Sequence, residues 1–191
     1  MLKRIGLAAG AAGLMLAAWA TPPHAAGLET PGTRAPAGSG TQANVRYTAG
    51  GDPYIVAAEA EQVPLNLLIA VAGAESGYHP WALNLAGREI YCHTRQEAER
   101  LLEKNDKVDI GLMQINWPYW GPRLKISKSE LLDPRTNLVY GARILRKCLE
   151  RGGDVWRRIS DYHAGSASTR ERYNRRVYSS YLRYLRGEIR K

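Results

Sequence analysis

The side chain best placed to do chemistry is Glu75. It follows an uncharged run from Leu65 to Ala74 and is succeeded at once by Ser76 and Gly77, a typical helix stop. A carboxyl group at the end of an apolar helix has its pKa raised twice, by loss of water and by the negative end of the helix dipole. Kept protonated near neutral pH, it suits a general acid that protonates a glycosidic oxygen. Taken alone, the same Glu is equally a half-exposed residue with no role. Two other carboxylates lie near sequence features of interest: Asp109, two residues before Gly111-Leu112-Met113-Gln114, and Asp161, beside Tyr162. The plain expectation is that Asp109 caps a helix and Asp161 is exposed. Cys92-His93 invites a nucleophile–base pairing, but adjacent residues rarely point at each other productively. The four histidines have no metal-ligand spacing, so neither metal nor cofactor is expected.

Most segments that must position these residues read as helix. Asp52-Pro53 is an N-cap with Pro at the first helical position, and Pro64 ends that helix. Leu65 to Ser76 is apolar almost all round, the pattern of a helix buried at the centre of a domain. Thr94-Arg95-Gln96-Glu97 is a capping box for a short charged helix carrying Leu101 and Leu102. Asp133-Pro134 opens a longer helix with Leu138, Ala142, Leu145 and Leu149 at helical spacing, and Gly152-Gly153 ends it. Asp154 caps the next helix. Ser168 and Glu171 read as a capping box for the last, along which Val177, Tyr181, Leu185 and Ile189 form a stripe. Alternating patterns are scarce. The expectation is a mainly α single domain with at most a minor β element.

The start of the chain reads as a signal peptide. Lys3 and Arg4 precede the uncharged run Ile5 to Trp19, and Ala18-Trp19-Ala20 is an A-x-A cleavage signal, with a second choice after Ala26. The run is shorter than the roughly 20 residues a bilayer requires, and no other segment is long or apolar enough to span one. Residues 21–51 are Pro, Gly, Ala, Ser and Thr with almost no large apolar side chain, which reads as a flexible linker. The folded domain is therefore expected over 52–191. The net charge of +9 favours anionic surroundings without saying which. Much of it lies between Arg170 and Lys191 and reads as a solvated helix face. Export makes the even pair Cys92 and Cys148 a candidate disulfide, with Cα atoms within about 7 Å as the geometric requirement.

Four ordered stretches carry a resemblance. Glu75-Ser76-Gly77-Tyr78-His79-Pro80-Trp81-Ala82, continuing to Asn84 and Gly87, resembles the opening motif of the soluble lytic transglycosylases (SLT family). Gly111-Leu112-Met113-Gln114 is similar to their second motif. Asp133-Pro134, Asn137, Gly141 and Leu145 resemble the third, and Tyr162-His163-Ala164-Gly165 the fourth, with Tyr173 and Val177 at the start of the last helix. The likeness spans about Asp52 to Tyr184. Three departures stand out: Asn84 in place of a Ser that helps orient the Glu, His163 in place of Asn, and an insertion of about 88–110. The insertion reads either as a surface elaboration or as a flap at one end of the cleft.

The resemblance implies a lysozyme-like fold and cleavage of the MurNAc–GlcNAc bond of peptidoglycan, leaving a 1,6-anhydromuramoyl end. Glu75 is then the single acid/base, and Asn84, Met113, Gln114 and Tyr162 meet the substrate. The implied location is the periplasm. The implied partners are glycan strands and components of a conjugation, secretion or pilus machine, type IV secretion among them. Small family members without a large helical superstructure resemble those encoded with such systems. A hydrolytic muramidase using Asp109 or Asp161 as second carboxylate is one alternative, and a peptidoglycan-binding scaffold subunit another. The signal peptide and the lack of any nucleic-acid-binding motif speak against a nucleic-acid partner.

Overall fold

Asp52 starts the first helix as its sequence demands: the carboxylate accepts the Tyr54 N–H at 2.8 Å, and Pro53 supplies the helical φ. The computed structural model describes residues 51–163 and 165–189, so the expected signal peptide and nearly all of the expected linker lie outside the described residues. Seven helices and four short strands follow. Helix α1 (Pro53–Ala60) leads into α2 (Leu65–Ser76), in which Leu68, Ile69, Ala70, Val71 and Ala72 are wholly buried. A helix without a polar face has to be surrounded. Helices α1 and α7 (Ala167–Leu185) pack against it, and α5 (Pro134–Leu149) packs on α1. No single described helix is long and apolar enough to cross a membrane.

The β element is a four-stranded antiparallel sheet of order β2-β1-β3-β4, made of β1 (Ala82–Leu85), β2 (Arg88–Tyr91), β3 (Val108–Ile110) and β4 (Ile115–Asn116). The β1–β2 hairpin turns on Ala86 and Gly87, both with positive φ, the geometry that matches strand twist in two-residue loops. The insertion is built into this sheet. It contributes β2, helix α3 (Arg95–Glu103) and β3. Thr94 caps α3 as expected, accepting from the Glu97 N–H, while the Glu97 carboxylate reaches past the cap to the His93 N–H at 2.9 Å.

Three expectations need correction. Helix α4 (Trp117–Leu124), capped by Asn116, has no counterpart in the sequence reading, because Pro118, Gly121 and Pro122 weaken its signal. Helix α7 is capped by Ser166 rather than Ser168, and it ends at Leu185, before Ile189. Its buried face is Tyr173, Val177 and Ser180, whereas Leu185 is 58% exposed. The third concerns the cysteines. Both are buried free thiols, and no disulfide joins them. Cys92 follows β2 with its N–H on the Trp81 carbonyl, while Cys148 lies in the last turn of α5 beside Asp161. An even cysteine count says nothing about proximity.

Between β3 and β4 the chain makes the turn Gly111 to Gln114. Asn137, on α5 and wholly buried, accepts the Met113 N–H at 2.8 Å and donates to the Ile110 and Leu131 carbonyls, both at 2.9 Å. Gly111 has φ +77°, and a Cβ there would run into the Asn137 amide, so only glycine fits. Likewise a Cβ on Gly141 would collide with the Met113 side chain packed on it. Asn137→Ala removes all three of these bonds from the core. Urea denaturation should show a loss of about 3–5 kcal/mol, the size expected for breaking a buried network.

Candidate active site

Glu75 sits in the last turn of α2, which stops at Gly77 in the left-handed region. The next residue, Ser76, is buried and donates to the Ala72 carbonyl at 3.2 Å and the Leu112 carbonyl at 2.9 Å. That second bond ties the end of α2 to the 111–114 turn. Three more bonds complete the frame. The Tyr162 hydroxyl donates to the Met113 carbonyl at 2.9 Å, and Gln114 Nε2 donates to the Ala82 and Gly111 carbonyls at 3.0 and 2.9 Å. The four sequence motifs are therefore joined through backbone groups of the second.

These elements border a cleft of about 670 Å³. Glu75, Asn84, Gln114, Tyr162, His163 and Asp109 all line it. Burial pushes the Glu75 carboxyl up to about 7, with Asp109 adding to the rise. Tyr173 and the Arg176 guanidinium pull it the other way. The Tyr173 hydroxyl is itself buried and closes no hydrogen bond of good geometry, so it is a donor held ready beside the carboxyl. Tyr162 and Tyr173 are both raised well above the ordinary tyrosine range, first by burial and then by the nearby Glu75 charge. Both remain donors. Asp109 is raised by burial, against its bond from Asn116 Nδ2 at 2.7 Å. His163 stacks on Tyr173 with ring centroids 5.0 Å apart, and burial followed by Arg176 lowers its pKa.

Not every expected residue faces the cleft in the expected way. Met113 is fully buried against Gly141, because the turn directs its side chain into the core; only its backbone takes part in the frame. Asn84 lines the cleft, but its amide oxygen accepts the Gly87 N–H at 2.7 Å and closes the β1–β2 turn. Asp109 lies in a strand and caps no helix. Asp161 is not exposed: its side chain is 7% accessible and is bound by Arg151, Arg158 and Arg170 at 3.0–3.1 Å. Cys148, expected in a disulfide, lines the cleft instead, its thiol pushed up to about 11 by burial. Among the described residues no group of three or more His, Cys, Asp or Glu converges as a metal site would require.

The sequence reading missed Tyr173 as a site residue and placed Arg176 on a solvated face. Arg176 donates to the Ala74 carbonyl at 2.7 Å and lines the cleft. The signal was available, since Arg176 lies three residues after Tyr173 and beside Val177, on the face that α7 turns to α2.

Residues 52–181 match the model of the transglycosylase SLT domain. The chain belongs to that family. Its fold is accordingly the mainly α, lysozyme-like one, and the SLT domain makes it a lytic transglycosylase of peptidoglycan. It is 31% identical to the invasion protein IagB of Salmonella typhimurium (strain LT2) over 148 residues, covering 73% of this chain and 81% of that protein. It is 28% identical to the protein IpgF of Shigella sonnei, covering 74% of this chain and 85% of the relative. No solved structure matches the chain significantly.

Two measurements follow from the charges around Glu75. The unfolded carboxyl titrates near 4.5 and the folded one near 7, so the folded state holds its proton longer. Stability present below pH 4.5 is then lost as pH rises through 7, by about 3 kcal/mol at pH 8. Glu75→Gln, neutral throughout, should be more stable than the wild type in urea at pH 8 and no more stable at pH 4. Arg176→Gln removes a cation that favours the carboxylate. An NMR titration of the Glu75 side chain should find its pKa raised further, by about half a unit to one unit.

Proposed function

We propose that this SLT domain cleaves the bond between N-acetylmuramic acid and N-acetylglucosamine with Glu75 as sole acid and base. The observation that carries the reading is the place of Glu75, at the end of an apolar helix and on the cleft, where burial pushes its carboxyl up to about 7 and suits it to both tasks. In the first step Glu75 gives its proton to the bridging oxygen as the bond from the muramoyl anomeric carbon to that oxygen breaks. The substrate's N-acetyl group stabilises the positive charge left on the anomeric carbon. The Tyr173 hydroxyl, which has no other partner, can donate to the new carboxylate. In the second step the muramoyl 6-hydroxyl attacks the anomeric carbon and returns its proton to Glu75. The product ends in a 1,6-anhydro sugar and no water is consumed. Tyr162 holds the floor of the site, while Asn84 through its amide nitrogen and Gln114 face the sugars.

Export by the N-terminal segment to the periplasm and local opening of the wall for an envelope-spanning machine belong to the same reading. The name of the Salmonella relatives, invasion protein, is in keeping with such service. One observation favours a second chemistry. Asp109 lines the same cleft and acts electrostatically on Glu75, as a second carboxylate of a hydrolytic muramidase would. Asp161, with its oxygens committed to three guanidiniums, is poorly suited to that task.

Digestion of purified peptidoglycan by the mature protein and by Glu75→Gln, with products read by mass spectrometry, separates the readings. Products ending in 1,6-anhydromuramic acid and lost in the variant are the expected result. Reducing ends that disappear in Asp109→Asn would replace it with hydrolysis. Wall binding without any product would favour a scaffold role.

A further inference from the structure

The cleft is polarised in charge. The sheet brings Glu89 and Asp109 to it, while α5, the turn that follows it and α7 bring Lys147, Arg151 and Arg176. The helical side is organised around Asp161. That one carboxylate, 7% exposed, binds Arg151 and Arg158 through one oxygen and Arg170 through the other. One negative charge against three positive leaves the cluster net cationic. Lys147, one turn before Arg151 on α5, adds another cation and makes no ion pair or hydrogen bond among the described residues. Arg151 offers a single N–H to Asp161 at 3.1 Å, and its side chain is 63% exposed. A guanidinium anchored at one corner keeps a fork of donors pre-set for a second carboxylate.

The glycan backbone gives such a wall nothing to bind, since alternating N-acetylated sugars carry no charge. The anionic groups of peptidoglycan are on the substituent at the 3-oxygen of each muramic acid. They are the carboxylates of the peptide stem or, once the stem has been removed, the lactyl carboxylate itself. On the sheet side Glu89 and Asp109 would repel either one.

We infer that Lys147 and Arg151, fixed by Asp161, form a subsite for a carboxylate on the muramoyl substituent, so that the cleft selects strands by what hangs from them. The inference rests on the peptidoglycan reading above. Arg176 has a different task, since its guanidinium holds the Ala74 carbonyl beside Glu75.

The test compares three substrates at low salt: stem-bearing strands, the same strands with their stem carboxylates chemically amidated, and amidase-stripped strands with free lactyl groups. Wild type should cleave native strands about three- to tenfold faster than amidated ones, the range of a charge-assisted contact at a partly exposed site. Lys147→Gln and Arg151→Gln should each bring that ratio toward one, and 0.5 M salt should do the same in wild type. A preference for stripped strands that these variants abolish would identify the lactyl carboxylate as the ligand instead. Lys147 lies outside the Asp161 cluster, so its variant stays informative if Arg151→Gln folds poorly. Equal cleavage of all three substrates by wild type, or ratios untouched by both variants, overturns the subsite. Wild type that cleaves none of them overturns the transglycosylase reading, a separate failure.

Discussion

A turn of four residues, Gly111 to Gln114, is held from several directions at once, and the geometry of the cleft follows from it. Ser76 grips the Leu112 carbonyl from the end of α2, Asn137 grips the Met113 N–H from α5, and Tyr162 grips the Met113 carbonyl from the loop after α6 (Val155–Ser160). Two of the three gripping residues belong to the site: Ser76 follows Glu75, and Tyr162 borders the cleft itself, while Asn137 holds the turn from within the core. The helices therefore need not touch one another near the site to be placed relative to it. Their common reference is a piece of backbone whose polar groups would otherwise be buried without partners, and an unpaired buried group is more costly than a paired one is rewarding. The close approach at Gly141 fixes the depth at which the turn sits.

Electrostatics around the acid are a balance of opposing effects. Burial and Asp109 raise the Glu75 pKa, and Tyr173 and Arg176 restrain the rise. Burial without the restraint would leave the group a strong base, reluctant to give up its proton. Restraint without burial would leave an ordinary surface carboxylate. The expectation from sequence named burial and the helix dipole, and burial is indeed the largest cause. The restraining pair comes from α7, about a hundred residues further along the chain, and local pattern cannot show such a pairing.

That distance explains which features were legible. The central helix was plain because its apolar run is long and uninterrupted, and the N-caps at Asp52, Thr94, Asp133 and Asp154 were plain because a cap is a contact over two or three residues. Strands of two to four residues are too short for alternation to declare itself, so the sheet was foreseen only as a minor element. Helix α4 was hidden by its prolines and glycine. The disulfide failed because cysteine parity carries no distance. Met113 was assigned to the cleft with its motif, yet within a tight turn neighbouring side chains part company, and Met113 went to the core while Gln114 stayed at the surface of the cleft.

The two free thiols bear on how the domain can be made. Cys92 and Cys148 are buried, and burial raises the pKa of both, so little reactive thiolate forms at neutral pH. The fold contains no covalent staple among its described residues and rests on the polar bonds around one turn and the packing around one helix. Recombinant protein can accordingly mature in a reducing cytoplasm, without oxidative catalysts, and should pass through purification with or without reductant as the same molecule.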